Sequence, residues 1–139
     1  MNKISKGQAG SLAHVHALRV YWEDTDGAGV VYYANYLRYI ERARSDWVRA
    51  LGVDQNAMRA NGVVFVVRRV EADYLMPAHF DDQLTVLTST RAVTGVRLVM
   101  HQEVRRGADL LFQAEVTVVC VNDAGHPARL PANIRRQVR

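Results

Sequence analysis

The 139-residue sequence predicts an α+β fold with one long helix and five antiparallel strands. Apolar residues recur at helical spacing between residues 35 and 51, and apolar and polar residues alternate in several runs after residue 63. The connections between those runs are short, which is typical of antiparallel neighbours. The length fits one domain. We expect this domain over residues 18–130, after a flexible extension at 1–17 and before a basic tail at 131–139.

The first half of the predicted domain contains one strand, one turn and the helix. A short β-prone run at residues 18–22 leads into residues 23–29, where two glycines and two aspartates mark a turn. The helix begins near Asn35 and stops at Gly52, since glycine favours helix ends. Its apolar face is formed by residues at spacings of four, three, four and four: Tyr36, Ile40, Ala43, Trp47 and Leu51. Residues 54–61 favour one further helical turn.

The second half of the domain predicts four strands, at residues 63–76, 84–93, 96–105 and 110–118. The third of these runs alternates most regularly, as expected for a sheet with one solvated face. A five-stranded sheet has two edges, and exposed edges tend to be paired or covered. We therefore expect a homodimer in which two sheets join.

Composition limits the function without deciding it. The formal charge of +4 and the pI of about 9.6 favour acidic partners such as phosphate-rich ligands, nucleic acids or anionic membranes. The single cysteine, Cys120, allows no intramolecular disulfide and is expected to be reduced and buried, which fits a cytoplasmic protein. No apolar stretch approaches the ~20 residues that span a bilayer. His14 and His16 fall in the expected extension and are assigned no role.

The segment from Tyr21 to Tyr36 combines three features that suit acyl transfer. Asp26 lies on a strand-to-helix turn, glycines beside it let a ligand approach the backbone, and a helix begins a few residues later. Free N–H groups at a helix start stabilise the negative charge that develops on a thioester oxygen during attack. A nearby carboxylate activates water or attacks the carbonyl itself. We expect Asp26 and these amides to face one small cavity.

Two plainer interpretations of the same segment stand beside this one. Asp-Thr-Asp before a glycine turn is also the pattern of an Asx-turn or a helix cap. Glu23, Asp24 and Asp26 could bind a metal, but the segment lacks the oxygen-ligand spacing of a calcium loop.

Several motifs in order identify a resemblance to the YbgC-like branch of the 4-hydroxybenzoyl-CoA thioesterase family, over residues 19–130. The motifs are Glu23-Asp24-Thr25-Asp26, Gly29-Val30-Val31-Tyr32, Asn35-Tyr36, Glu41-Arg42-Ala43-Arg44, Phe65-Val66-Val67-Arg68, Pro77-Ala78, Asp81-Asp82, Glu115-Val116 and Val119-Cys120-Val121. The resemblance implies a hot-dog fold, in which an antiparallel sheet wraps around a central helix, and a dimer that pairs further into a tetramer. It also implies hydrolysis of acyl-CoA, or of acyl-carrier-protein thioesters, with no metal or other cofactor and no nucleic acid.

The resemblance assigns roles to individual residues. Asp26 matches the family's catalytic carboxylate, and the backbone N–H of Tyr33 matches the group that polarises the thioester carbonyl. Many relatives have histidine at the Tyr33 position, so only the backbone role carries over. Residues expected to bind substrate are Gly29, Val30, Tyr32, Asn35, Tyr36 and Arg68.

Two other functions stay open at this point. A hot-dog hydratase or dehydratase would need a differently placed acid–base pair. A non-catalytic module would bind acyl-CoA or acyl-carrier protein, or act as a scaffold in the Tol–Pal envelope system with which YbgC-like proteins are associated.

Overall fold

The computed structural model describes residues 3–6 and 12–137. Its elements, in chain order, are β1 (Lys3–Lys6), β2 (Leu12–Arg19), a 3-10 turn (Trp22–Asp24), α1 (Asn35–Ala50), α2 (Gln55–Ala60), β3 (Val63–Tyr74), β4 (Gln83–Val93), β5 (Arg97–Arg106), β6 (Asp109–Asn122), β7 (Pro127–Ala128) and α3 (Ala132–Arg135). The predicted α+β class is confirmed, as are α1, α2 and the four strands after residue 63.

The described strands form one antiparallel sheet. Their order across the sheet is β1-β2-β4-β5-β6-β3, and β7 pairs with β6. The chain crosses the sheet between β2 and β3, so the segment that contains α1 connects one side of the sheet to the far edge. This crossover places the start of α1 and the turn before it at one end of β3.

α1 is the helix around which the core is built. Its buried residues are Tyr36, Tyr39, Ile40, Ala43, Trp47 and Val48, which contain four of the five apolar positions that the spacing predicts. The helix packs on β2, β4 and β5. Burying such side chains contributes about 1.5–3 kcal/mol each, so this face fixes α1 on the sheet.

The ends of the chain differ from the sequence prediction. Residues 12–17, expected in a flexible extension, belong to β2, which pairs with β4 from His14 to Arg19. The basic tail expected at 131–139 begins with the short helix α3, which buries Ile134 in the core. The described sheet therefore has six strands on its main path, plus β7, instead of five. Other residues of the expected extension, 1–2 and 7–11, and residues 138–139 lie outside the described part.

β3 is an edge strand whose helix-facing side is poorly covered within one chain. Val67, Val70 and Tyr74 pair with Val118, Val116 and Phe112, and paired residues point to the same face of a sheet. Those three β6 residues are buried, whereas Val67 and Tyr74 are 44% and 48% exposed. The described sheet therefore ends at β3 in an edge strand with exposed apolar side chains. Among the described helices, none is long and apolar enough to cross a membrane.

Candidate active site

The turn before α1 is organised by Asp24. Its carboxylate accepts the backbone N–H of Tyr21 at 2.8 Å, and its carbonyl accepts both the backbone N–H of Tyr32 and the side-chain amide of Asn35 at 2.8–3.0 Å. Asp24 thus joins the 3-10 turn to the first residue of the helix. This capping role agrees with the structural function that the plainer interpretation gave to part of the Asp-Thr-Asp motif.

Asp26 occupies the exposed part of the same turn. Its backbone N–H donates to the Val30 carbonyl at 3.0 Å, and one carboxylate oxygen accepts the Ala28 N–H at 2.9 Å. Gly27 and Gly29 have φ angles of +92° and +86°, a region that favours glycine. A side chain at either glycine would meet no atom within 4 Å, so this turn is open to a ligand. The second carboxylate oxygen of Asp26 forms no hydrogen bond among the described residues.

The start of α1 offers free backbone amides. Its N-cap, Ala34, has no side-chain cap, and the first turn contains no acidic residue. Within the described residues the Tyr33 N–H donates no hydrogen bond, while the Tyr33 carbonyl accepts the Tyr74 hydroxyl at 3.0 Å. A helix start in this state carries partial positive charge, so it suits a developing oxyanion.

A second loop holds the Asp26 turn in place. Ala78 accepts the Val31 N–H at 2.9 Å, and the Phe80 N–H donates to the Gly29 carbonyl at 2.8 Å. Asp82 fixes this loop by accepting the His79 N–H and the Arg106 guanidinium, both at 2.8 Å. Burial opposes the charge on Asp82, but these hydrogen bonds prevail and hold the pKa of its carboxyl below the ordinary value. The loop is therefore anchored by a charged group throughout the neutral range.

An exposed aromatic surface surrounds Asp26. Trp22 packs edge-on against Phe80 with ring centroids 5.3 Å apart, and the Tyr33 ring contacts the rings of Tyr32 and Tyr74. All five side chains are between 47% and 63% exposed. Large exposed apolar patches mark sites of ligand or protein contact, so this surface is expected to be covered in the working protein.

The structure brings most of the predicted site residues together. Asp26, Gly29, Val30, Tyr32 and Tyr33 lie on the one turn, and Asn35 joins them through Asp24.

Two predicted substrate contacts, Tyr36 and Arg68, lie away from the exposed part of the Asp26 turn. Tyr36 is 3% exposed, stacks on the Phe112 ring at 5.0 Å and accepts the Ala78 N–H at 3.0 Å. Tyr36 is a core residue beneath the turn, because it lies on the buried face of the helix that the apolar spacing predicts. Arg68 lies at a bulge of β3, six residues from Tyr74, and lines a cavity with Arg97 and Val119. That cavity is separate from the Asp26 turn.

Asp26 is exposed in a single chain, and the small cavity predicted there stays a prediction. Four cavities within the described residues have volumes of about 140 to 540 Å³, and none of the four is lined by Asp26 or Tyr33. No metal-binding cluster of three or more His, Cys, Asp or Glu side chains occurs in the part of the chain described here.

Several residues that build the site lie outside the set predicted from the sequence. Tyr74 holds the Tyr33 carbonyl, and Asp82 with Arg106 anchors the supporting loop. The motif Asp81-Asp82 had been noticed only as part of the resemblance. Aspartates that follow Pro77 between two strands were a signal for a loop-fixing role.

The chain is similar to known thioesterases over most of its length. The pattern of the thioesterase-like superfamily matches residues 20–138. The acyl-CoA thioester hydrolase YbgC of Escherichia coli is 42% identical over 119 residues, which are 84% of this chain and 89% of that protein. The crystal structure of a probable thioesterase from Bartonella henselae is 38% identical, with a TM-score of 0.81, over 86% of this chain and 99% of that chain. A 1,4-dihydroxy-2-naphthoyl-CoA thioesterase from Synechocystis is 26% identical, with a TM-score of 0.82, over 89% and 93% of the two chains. The predicted resemblance and the hot-dog fold are confirmed.

Proposed function

The chain belongs to the thioesterase-like superfamily, and from this premise we propose that it hydrolyses acyl-CoA thioesters with Asp26 as the catalytic carboxylate and the Tyr33 N–H as the oxyanion donor. The observation that carries the proposal is the shared turn: an open carboxylate and an uncapped helix start lie within eight residues of each other. The named relatives supply the reaction class, since they include an acyl-CoA thioester hydrolase.

The chemistry follows from this arrangement. The thioester carbonyl oxygen accepts a hydrogen bond from the Tyr33 N–H at the start of the helix. Asp26 then takes a proton from an attacking water, or attacks the carbonyl carbon itself to give an anhydride that water opens. In both routes the carbon–sulfur bond breaks, the thiolate of CoA leaves, and the acid is released. Ala28 donates to one Asp26 oxygen, and the other oxygen forms no hydrogen bond among the described residues.

We expect the working site to lie between two copies of the chain. β3 is an edge strand with unpaired backbone groups and an apolar helix-facing side, and both features favour pairing with a second sheet. Pairing of β3 with the same strand of a second copy would be antiparallel and two-fold symmetric. It would cover Val67, Val70 and the exposed aromatic surface, and would supply the absent wall of the cleft.

The central test replaces Asp26 with asparagine. We expect Asp26→Asn to lower kcat by two or more orders of magnitude, since general-base catalysis contributes about 10²–10⁴-fold. Thiol release is measured across acyl-CoA chain lengths, including a benzoyl-type thioester. Glu23→Gln is the matched control, because Glu23 is exposed on the same turn and this substitution removes the same charge. Full activity in a folded Asp26→Asn variant would refute the assignment, and tight thioester binding by the parent without thiol release would favour the binding-module interpretation.

Oxygen-18 water identifies the anhydride route when label enters Asp26. In a single turnover, direct attack by water puts the label only into the acid product. If water opens the anhydride at the carbonyl of the acid, no label enters the Asp26 carboxylate. If water opens it at the aspartyl carbonyl, label enters the Asp26 carboxylate. Mass spectrometry of the peptide that contains Asp26 therefore identifies nucleophilic attack when label is found there.

The dimer is tested by a charge on the β3 edge. We expect Val70→Glu to shift the protein from dimer to monomer in sedimentation velocity and to lower activity with it, because a buried unpaired carboxylate is strongly unfavourable. Val96→Glu is the control for association, since Val96 is equally exposed but lies in the turn before β5. A Val70→Glu protein that stays dimeric would exclude this edge as the interface. The tetramer, the cytoplasmic location, the use of carrier-protein thioesters and the Tol–Pal association stay predictions of the resemblance.

A further inference from the structure

Tyr39 is a buried tyrosine of α1 whose hydroxyl has no role in the packing of the core. Its side chain is 1% exposed, and the hydroxyl forms no hydrogen bond of ordinary length among the described residues. A buried hydroxyl without a full hydrogen bond is unfavourable and rare in native structures. A phenylalanine ring would fill the same space without that penalty. The hydroxyl of Tyr39 therefore needs an explanation beyond packing.

The carboxylate of Asp24 lies next to this hydroxyl. Tyr39 follows Asn35 by four residues, so the two lie on the same side of the helix, one turn apart. The Asn35 side chain donates to the Asp24 carbonyl at 2.8 Å, which places Asp24 over this side of α1. Burial raises the pKa of Tyr39, and so do the charge of Asp24 and the contact of the hydroxyl with its carboxylate. The hydroxyl therefore keeps its proton throughout the neutral range and is available as a donor.

The contact between Tyr39 and Asp24 is a stretched hydrogen bond. Asp24 is close enough to raise the pKa of the phenol, yet the hydroxyl has no acceptor at ordinary hydrogen-bond distance among the described residues. One Asp24 oxygen accepts the Tyr21 N–H at 2.8 Å, and the other has no hydrogen bond in the part of the chain described here. A donor and an acceptor thus lie side by side, and neither is fully satisfied. Hydrogen bonds that serve catalysis are often long in the free enzyme and shorten in the complex with substrate.

We propose that Tyr39 is a positioning residue for the Asp26 turn, because its hydroxyl donates to the Asp24 carboxylate and this bond shortens when substrate is bound. This inference rests on the proposed function and adds a residue to it. Tyr39 is buried and does not touch the reacting atoms. It acts through Asp24, which organises the turn.

Asp24 transmits the contact to the proposed oxyanion donor. Its carbonyl accepts the Tyr32 N–H at 3.0 Å and the Asn35 side-chain amide at 2.8 Å. These two residues flank Tyr33 and Ala34 in the sequence, so a shift of Asp24 also moves the Tyr33 N–H. An interaction that strengthens in the transition state lowers the barrier without tightening substrate binding. Tyr39 should therefore affect kcat more than KM.

Two other tyrosine hydroxyls of this region have complete hydrogen bonds. The Tyr36 hydroxyl accepts the Ala78 N–H, and the Tyr74 hydroxyl donates to the Tyr33 carbonyl, both at 3.0 Å. The Tyr36 and Tyr39 rings are in edge contact, with centroids 6.0 Å apart. Removal of the Tyr36 hydroxyl leaves a buried N–H without its partner, whereas removal of the Tyr39 hydroxyl leaves no ordinary hydrogen bond broken. The two changes should therefore have opposite balances of stability and activity.

Tyr39→Phe tests this difference. We expect kcat for acyl-CoA hydrolysis to fall roughly tenfold, as for the loss of a hydrogen bond to a charged group, while KM and the urea midpoint stay unchanged. Tyr36→Phe is the matched control, since it removes the same group one turn away on the same helix and should lower the urea midpoint. An unchanged kcat in Tyr39→Phe would overturn the proposal. A lower urea midpoint with unchanged kcat would make Tyr39 an ordinary core residue.

A double-mutant cycle tests whether Tyr39 acts through Asp24. Asp24→Ala removes the carboxylate but keeps the backbone carbonyl that holds the start of the helix. Tyr39→Phe should lower kcat in the parent and cause no further loss in Asp24→Ala. Tyr74→Phe is the control, because its contact with Tyr33 does not involve the Asp24 side chain and its effect should be the same in both backgrounds. An equal loss from Tyr39→Phe in both backgrounds would overturn the proposal.

A conservative change keeps the cycle decisive if Asp24→Ala does not fold. Asp24→Asn retains an acceptor oxygen without the charge, and a hydrogen bond to a neutral acceptor is about half as strong. The effect of Tyr39→Phe on kcat should therefore be smaller in Asp24→Asn than in the parent. An undiminished effect would show that the Asp24 charge is not the partner of Tyr39.

Hydrogen exchange separates this proposal from the proposed function, because it needs no turnover. In the free protein, Tyr39→Phe should speed exchange of the Tyr32 amide, which Asp24 holds, by roughly threefold. The Val31 amide is the internal control, since the Ala78 carbonyl holds it and its exchange should not change. If exchange responds in this way but the parent hydrolyses no thioester, the Tyr39 contact stands and the hydrolase assignment fails. If the parent hydrolyses thioesters but neither kcat nor exchange responds, the positioning role fails and the hydrolase assignment stands.

Discussion

Tyr36→Phe is the change that distinguishes a core tyrosine from a substrate contact. The variant keeps the ring stacked on Phe112 and removes only the hydroxyl oxygen that accepts the Ala78 N–H at 3.0 Å. Burial raises the pKa of Tyr36, so this group is a neutral phenol at every pH of interest. An N–H left without a partner in a buried position costs about 1–3 kcal/mol. We expect the free energy of unfolding to fall by about 1–2 kcal/mol.

The assay is urea unfolding at a fixed protein concentration, because dimerisation makes the midpoint depend on concentration. With a slope of roughly 2 kcal/mol/M, the midpoint should fall by about 0.5–1 M. Tyr32→Phe is the control, since Tyr32 is 47% exposed and its hydroxyl has no hydrogen bond among the described residues. Ala78 also accepts the Val31 N–H, so kcat is expected to fall for all acyl chains by the same factor. Unchanged stability together with altered preference between acyl chains would refute the core role.

Two further predictions concern a turn and a histidine. Gly29→Ala should destabilise the protein by about 1 kcal/mol, because its φ of +86° disfavours any other residue, and it should also lower kcat. Gly107→Ala is the control, since Gly107 has a similarly strained φ of +59° in a remote turn. Equal losses of kcat in both variants would contradict a local effect of Gly29. His14 is 1% exposed, and neither of its ring nitrogens forms a hydrogen bond with the described residues; burial lowers its pKa despite the opposing charge of Asp46. The unfolded chain therefore takes up a proton below about pH 6.5 that the folded chain rejects, and stability falls as the pH decreases through that value. His14→Leu should remove this part of the pH dependence in urea unfolding at pH 8 and pH 5.5; parallel curves for parent and variant would contradict it.

Local pattern was sufficient for the elements whose burial repeats regularly. The spacing of Tyr36, Ile40, Ala43 and Trp47 predicts α1 and its buried face, because a helix that packs on a sheet on one side must repeat its apolar residues every three or four positions. The same pattern could not indicate β2, since His14 and His16 interrupt it with polar residues. On that strand, the His16 ring contacts Asp46 of α1 at 2.6 Å. The two residues are 30 positions apart, so no local sequence pattern indicates this contact.

The candidate site was predictable to the extent that its residues are adjacent in the chain. The turn that holds Asp26 and Gly29 was found because carboxylate, glycines and helix start are consecutive. Tyr74 and Arg106 reach the same region from β3 and β5, and their roles depend on strand register. The sequence shows Arg68 as an arginine within an apolar run. The cavity that it lines is determined by the bulge between Val67 and Arg69. A single extra residue changes which face a strand residue points to.

The exposure of Asp26 in one chain is an argument for the dimer. The interaction between an amide and a developing oxyanion is strong only where water is excluded, since the same charges interact several times more weakly at high dielectric. In a single chain the Asp26 turn is exposed, and Val67 and Val70 of β3 are 44% and 39% exposed. In the proposed dimer, a second copy would cover these apolar edge residues and close the cleft in one step. Covering this surface would therefore favour both folding stability and catalysis. A monomeric variant should lose activity even when its Asp26 turn keeps every hydrogen bond described here.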